Sequence, residues 1–255
     1  MKRMPGHAHL SVIIPTLNRV DTARLLGARV RALLPSLTVD VIVVTPHPPD
    51  AEDAGTDIRY VEDRRRGVYA AYTQGLRAAT GEYVWFMGDD DYPLDGARSL
   101  QKWLEGQTAD VLVAPVVFSN GRLYRQRRTL LLLHFLNWCQ QGVIYRRRLF
   151  ERYRFFRRFK VQADQYVNVL LRSDPAVRIV FTVEPICVFG VDGISSHVLD
   201  VGYRSARGAL AQRTLGTVGL TLFRLLTLVE PLAKQLLSRQ LAGRRHPQSF
   251  FGRPD

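Results

Sequence analysis

An apolar stretch that ends in three consecutive carboxylates, Tyr83-Val84-Trp85-Phe86-Met87-Gly88-Asp89-Asp90-Asp91, carries the strongest chemical signal in the chain. Adjacent like charges repel, so a compensating cation is one chemistry that suits the cluster. If the backbone stays extended, Asp89 and Asp91 project to one side, close enough to share a divalent ion, and Asp90 faces the other way. Oxygen ligands without nearby Cys or His suit Mg2+ or Mn2+ better than zinc, and such ions complete their shell with substrate phosphates. The residues alone leave a second reading open, an acidic turn capping the next helix, since Asp and Pro are ordinary turn residues.

Such a cluster has to be held by a sheet, and the first half of the chain alternates strands and helices in the way a parallel sheet requires. Leu10 to Pro15 is a short β-rich run, Asp21 to Leu34 carries apolar residues at helical spacing, and Val39 to Val44 is an apolar strand of the buried, parallel kind. Strands are expected at Ile58 to Val61, Tyr83 to Met87 and Asp110 to Val117, with helices at Val68 to Ala79 and Leu94 to Leu104. Repeated crossovers of this length imply a Rossmann-like, mainly parallel twisted sheet with helices on both faces, whose ligands bind beyond the carboxyl ends of the strands. The second half adds a hairpin over Phe118 to Tyr124 around Asn120-Gly121, a strand at Gly142 to Tyr145, a helix at Gln162 to Arg172 and a strand at Val177 to Val183. From about Val201 to Leu241 the pattern is helical and apolar.

At 255 residues, with 46% hydrophobic and 23% charged residues, the chain has globular composition. A basic start followed by a strand containing Pro15 gives no secretory signal, so the expected location is the cytosol. Two cysteines, Cys139 and Cys187, without CxxC spacing argue against a zinc site or a disulfide framework. The net charge of +13 fits nucleic acid, an anionic membrane face or a phosphorylated substrate. No RNP, zinc-finger or basic-zipper pattern appears, which removes nucleic acid from the expected partners. Arg224 and Glu230-Pro231 interrupt the C-terminal apolar stretch, too short to span a bilayer. An amphipathic segment on the cytosolic face of an anionic membrane and an intramolecular or dimer-forming helix remain the two readings of that segment.

Several ordered segments carry a family resemblance. Ser11-Val12-Ile13-Ile14-Pro15-Thr16-Leu17-Asn18-Arg19 resembles the opening strand and turn of family 2 glycosyltransferases. Glu62 to Ala71, Thr80 to Asp91, Gln141 to Tyr145 and Phe159 to Tyr166 resemble, in order, four segments of a bacterial polysaccharide-assembly branch of the colanic-acid type. The resemblance implies an A-type, nucleotide-diphosphate-sugar fold over residues 1–200. Its nucleotide-sugar half would be 10–117 and its acceptor half 118–200, followed by a helical, basic segment over 201–255. It also implies an inverting transfer assisted by Mn2+ or Mg2+, from a nucleotide-sugar donor to a glycan or lipid-linked acceptor.

By the same resemblance, Asp164 is the catalytic base and Gln141 and Tyr166 contact the acceptor. Donor contacts fall on Pro15, Thr16, Asn18, Arg19, Asp63, Arg66, Gly67, Tyr69, Asp89 and Asp90, and the metal on two of Asp89, Asp90 and Asp91. Without it, Asp164 reads as a helix-start carboxylate favourable to the macrodipole. Two departures stand out. The acidic turn expected after the second strand is replaced by Val44-Thr45-Pro46-His47-Pro48, and Ala70 occupies a further acidic position. Asp63 or Asp50 are the available substitutes; Gly193 and Ser195 resemble a family segment that lies near the active site, which implies a gating loop there, and His197 reads as a surface histidine sooner than as a ligand of the diphosphate or metal. These departures keep open a catalytically silent sugar-nucleotide-binding assembly protein, and a nucleotidyltransferase of similar fold is a second alternative.

Overall fold

The computed structural model describes residues 9–49, 58–64, 66–106, 109–190 and 200–242, with side chains as far as residue 230. Asp50, Arg65, Gly193, Ser195 and His197 lie outside the described residues. The first half runs β1 (His9–Pro15), α1 (Val20–Leu33), β2 (Thr38–Thr45), β3 (Ile58–Glu62), α2 (Val68–Ala78) and β4 (Tyr83–Phe86). After β5 (Tyr92–Pro93) come a 3-10 turn at Asp95–Arg98, α3 (Ser99–Glu105), β6 (Val111–Val113), β7 (Val116–Phe118) and β8 (Leu123–Tyr124). The remainder comprises α4 (Leu130–Leu133), β9 (Val143–Arg146), α5 (Leu149–Arg152), α6 (Ala163–Ser173), β10 (Ile179–Phe181), β11 (Cys187–Phe189), α7 (Val201–Thr214) and α8 (Thr217–Ala242).

Seven strands form the main sheet in the order β10-β6-β9-β4-β1-β2-β3, in which β9 alone runs antiparallel to its neighbours. The period-2 alternation of strand side chains explains why both faces are covered. Leu10, Val12 and Ile14 of β1 enter one core layer with Leu26 and Val30 of α1, whereas Ile13 enters the other with Tyr69 and Tyr72 of α2. Each fully buried aliphatic side chain contributes about 1.5–3 kcal/mol, so burial on both faces fixes the register of the central strands.

Two expectations need correction, and the C-terminal helical region forms as expected. Asp110 to Val117 is not one strand: β6 ends at Val113, and β7 belongs to a second, four-stranded sheet of order β5-β11-β7-β8. Pro115 lacks the N–H a continuous ladder needs, and the chain changes sheet there while Ala114 N–H donates to Gly142 O at 2.7 Å. The helix over Leu94 to Leu104 opens as a 3-10 turn, and the C-terminal helical region divides into α7 and α8 at Leu215-Gly216. The hairpin forms as expected: Val116 pairs with Tyr124, and Gly121 takes a φ of 80° that its missing Cβ permits.

Close packing of α2 on β1 depends on Gly75, because a methyl at that position would overlap Ile13 Cγ2 and sit 3.3 Å from Val44 Cγ2. Gly75→Ala is therefore expected to destabilise the protein by about 1–2 kcal/mol despite the better helix propensity of alanine. Gly208→Ala, on an open face of α7 with nothing near the new methyl, should stabilise by about 0.5–1 kcal/mol. Parallel denaturant titrations of the two variants check the contrast.

Candidate active site

The carboxyl ends of β1, β2 and β4 meet at one edge of the sheet. Pro15 closes β1, and buried Thr16 extends the pairing by donating its N–H to Val44 O at 2.9 Å. The Thr16 hydroxyl donates to Asp89 Oδ2 at 2.6 Å and accepts from Arg19 N–H at 2.9 Å, and Arg19 Nη1 lies 3.7 Å from Asp89 Oδ1. Asn18 and Arg19 are exposed beside this contact. Asp89 is thus tied to the turn after β1.

The acidic run does not stay extended. β4 stops at Phe86, Met87 N–H still reaches Ile13 O at 3.1 Å, and the chain then turns, with Gly88 N–H donating to Asp91 Oδ2 at 2.5 Å. Because of that turn the three side chains do not alternate: Asp89 is half-buried, Asp90 exposed and Asp91 buried. Asp90 and Asp91 are the pair that act on each other. Burial, and then the neighbouring Asp90 charge, push the Asp91 carboxyl up to about 8. Two glycines leave room around the pair. A Cβ at Gly190 would stand 2.5 Å from Asp90 Oδ2, and one at Gly88 would stand 2.6 Å from Asp90 Oδ1.

A second buried carboxylate, Asp164, opens α6. Its Oδ1 accepts from the Tyr69 hydroxyl at 2.6 Å and its Oδ2 from Asn137 Nδ2 at 2.6 Å. Burial raises its pKa against the opposing pull of those donors. Asn137 is itself held by Asn168 Nδ2 at 3.1 Å, and the Tyr145 hydroxyl donates to Asn168 Oδ1 at 2.7 Å. The start of α6 is fixed by Asp200, whose carboxylate accepts from the backbone N–H groups of Val161, Gln162 and Tyr203 at 2.9, 3.1 and 3.0 Å.

One short segment joins the two acidic groups. Asn137 reaches Asp164, and four residues later the Gln141 side chain stands near enough to Asp91 to pull that carboxyl's pKa down against burial. A span of four residues holds the two Cα atoms within about 14 Å of each other. Trp85 Nε1 donates to Gln141 O at 2.8 Å, and Gln126 Oε1 accepts from Cys139 N–H at 2.9 Å, so the segment is clamped to the sheet. Tyr72 feels both groups: burial raises its hydroxyl pKa strongly, and the charges of Asp91, Asp164 and Asp90 add to the effect. Cys139 is raised by burial and then by Asp91 and Asp164. Both cysteines are free thiols.

The other predicted residues divide between these groups. Asp63 is buried at the end of β3, where its N–H donates to Thr45 O at 2.8 Å, next to the turn that lacks an acid. Arg66 is exposed, and Gly67, with a φ of 91°, precedes α2 and so aims Tyr69 at Asp164. Tyr166 follows Asp164 by two positions and faces away from it, packing 5.3 and 5.1 Å from the rings of Phe156 and Phe159. Asn137, Tyr72, Gln126 and Asp200 were not anticipated. Their partners are distant in sequence, and the available signal was an unusual polar group, Asn137 with Gln140-Gln141, beside apolar residues.

Residues 11–177 match the profile of Glycosyl transferase family 2. The chain belongs to that family. A glycosyltransferase of Mycobacterium tuberculosis (strain H37Ra) and one of Mycobacterium bovis (strain BCG), each described as a PGL/p-HBAD biosynthesis glycosyltransferase, are 29% identical over 187 residues, 66% of this chain and 71% of theirs. In fold, the chain is similar to S. aureus TarS 1-349 in complex with UDP-GlcNAc, at a TM-score of 0.63 and 20% identity over 82% of this chain and 68% of that one. In the UDP complex of the same enzyme it spans 64% of the TarS chain. A mannosyltransferase from Pyrobaculum calidifontis with GDP-Man and Mn2+ gives a TM-score of 0.52 at 18% identity, over 93% and 81% of the two chains. The architecture is therefore the A-type glycosyltransferase fold.

The elevated pKa of Asp91 has a definite sign in stability. The native state favours the protonated carboxyl, so stability from this group is present below its ordinary value of 3.8 and is lost as pH rises toward about 8. Asp91→Asn should flatten that decline, with a smaller fall in Tm than the parent chain over this window, measured without added metal. Equal slopes for the two proteins would contradict the burial of an ionisable Asp91.

Proposed function

We propose that the chain transfers a sugar from a nucleoside-diphosphate donor to a hydroxyl of a glycan or lipid-linked acceptor, inverting the anomeric centre. The observation that carries this reading is the pairing of a buried, hydrogen-bonded Asp164 with the Asp90–Asp91 pair across the Asn137 to Gln141 segment. Asp164 accepts the proton of the acceptor hydroxyl, the acceptor oxygen bonds to the anomeric carbon, and the bond from that carbon to the diphosphate oxygen breaks. A carboxylate whose pKa is raised toward neutrality is a better base for this step, typically worth about 10²–10⁴ in rate. Tyr69 and Asn137 orient it and stabilise its ionised form. The donor lies over residues 10–117, against the turn after β1 and the start of α2. There Pro15, Thr16, Asn18, Arg19, Asp63, Arg66 and Gly67 line the sheet edge, and residues 118–200 receive the acceptor.

The residues present fit a divalent cation. Asp90 and Asp91 offer only hard oxygen ligands, Asp89 stands next in sequence, and the two glycines beside the pair leave space. No group of three or more Asp, Glu, His or Cys converges among the described residues, so donor phosphates and water would supply the remaining ligands. Bound Mn2+ or Mg2+ would offset the negative charge that develops on the departing diphosphate. Arg19 and Arg66, both exposed at this edge, suit the same anion.

A thermal-shift panel of nucleoside diphosphates and nucleotide sugars tests the donor class. One nucleotide should stabilise the protein, more at pH near 8 than near 5, and chelation should remove the effect because the cation needs the ionised pair. Silence across the panel would contradict a donor site; binding without turnover would favour a silent assembly protein, and release of pyrophosphate a nucleotidyltransferase. Asp164→Asn should lower kcat by about 10²–10⁴ with donor affinity nearly unchanged. Collapse of donor affinity would remove Asp164 from the base role.

A further inference from the structure

α7 and α8 form a helical hairpin stitched by Arg207. Its guanidinium lies 2.7 Å from Glu230 Oε2, 4.1 Å from the centroid of the Phe135 ring and 5.3 Å from that of Phe223. The Phe223 and Glu230 side of α8 thus faces the protein. The opposite side carries Val218, Leu222, Leu225 and Val229 at spacings of four, three and four, which is one stripe of a helix. All four are exposed, Val218 at 75% and Leu225 at 55%. Leu228, on the flank, is 75% exposed. Contiguous exposed apolar side chains of this kind mark an interaction surface.

Charge decides among the occupants. Residues 201–255 contain nine Lys and Arg against Glu230 and Asp255, and Glu230 is engaged by Arg207. A second copy would bring two such positive segments together. The positions flanking the stripe, Gly219, Thr221, Leu226 and Leu228, hold no charges that could pair across a coiled coil. An anionic lipid surface satisfies the apolar stripe and the positive charge at once, whereas no helix among the described residues is long and apolar enough to cross a membrane.

The same composition recurs beside Asp164. In the turn between α5 and α6, Phe155 packs inward 5.3 Å from the Tyr69 ring, while Arg154, Arg157 and Lys160 are exposed and have no ion-pair partner among the described residues. Phe156 is 42% exposed, with Arg158 stacked on it at 5.4 Å. Arg158 O abuts Gly202, so the turn is fixed to the start of α7. We propose that the α7–α8 hairpin docks this chain peripherally on an anionic bilayer surface, with the exposed stripe of α8 entering the headgroup region and the surrounding arginines contacting lipid phosphates.

Cosedimentation of the full chain with phosphatidylcholine vesicles, with and without phosphatidylglycerol, tests this. The parent protein should bind the anionic vesicles at least about tenfold more tightly than neutral ones, and added salt should weaken the binding. Leu222→Ser, Leu225→Ser and Val229→Ser together should lower binding by about tenfold or more at an unchanged Tm, because all three side chains are exposed. Failure to bind, equal binding to both vesicles, or a triple variant that binds like the parent would overturn the proposal. So would light scattering that shows a dimer abolished by the triple variant while vesicle binding persists. The donor-nucleotide thermal shift, read in the same samples, separates this outcome from failure of the catalytic reading.

Discussion

Removing carboxylates from water without a permanent counter-charge is the constraint on which the fold around the site depends. Each buried anion must be met by donors or shift toward its neutral form, and three aspartates show three degrees of compensation. Asp200 accepts three backbone N–H bonds and joins the starts of α6 and α7. Asp164 has two side-chain donors and keeps a raised pKa, which leaves it able to take a proton. Asp91 is the least compensated, since Asp90 stands beside it, and its carboxyl rises to about 8. The best-satisfied acid holds the scaffold, and the two with raised pKa values are the ones assigned to the proposed site.

That gradient organises the rest of the molecule. The Asn137 to Gln141 segment has to be rigid because it serves Asp164 at one end and Asp91 at the other, and Trp85 and Gln126 supply the rigidity from the sheet side. Tyr69 reaches Asp164 from α2, whose close seating on β1 and β2 depends on Gly75. Residues such as Gly75 and Asp200 therefore set the geometry around Asp164 without touching it. The positive charge is distributed differently: Arg19 and Arg66 stand exposed near the acidic residues, and further exposed Arg and Lys lie on the turn between α5 and α6 and on the C-terminal hairpin.

Much of this was legible in the sequence, because strands buried on both faces and amphipathic helices write their period directly. The first-half order of β1 to β4 with α1 and α2 followed from apolar spacing, as did the hairpin at Asn120-Gly121. What the sequence hid depends on contacts between distant residues. Spacing alone placed Asp89 and Asp91 on one side, but that rests on an extended backbone. Gly88 turns the chain, and Asp91 folds back to accept its N–H. Asn137 gave little local signal, since its partner Asp164 lies 27 residues away, and the reach of Asp200 to Val161, 39 residues back, was equally hidden although its cap on α7 is local. Pro115 marked the break between β6 and β7, although its neighbours read as one continuous apolar strand.

The central claim is that the Asp90–Asp91 pair and Asp164 border one cleft that holds the donor and its cation. NMR of the full chain, with the side-chain amide of Asn137 assigned and Mn2+ added together with the nucleoside diphosphate that binds, tests it most directly. Paramagnetic broadening should reach the backbone amides of Gly88 and Gly190 and the Asn137 side chain together, spare α1, and vanish in Asp91→Asn. Broadening confined to other surfaces, or present at Gly88 and absent at Asn137, would contradict a single site.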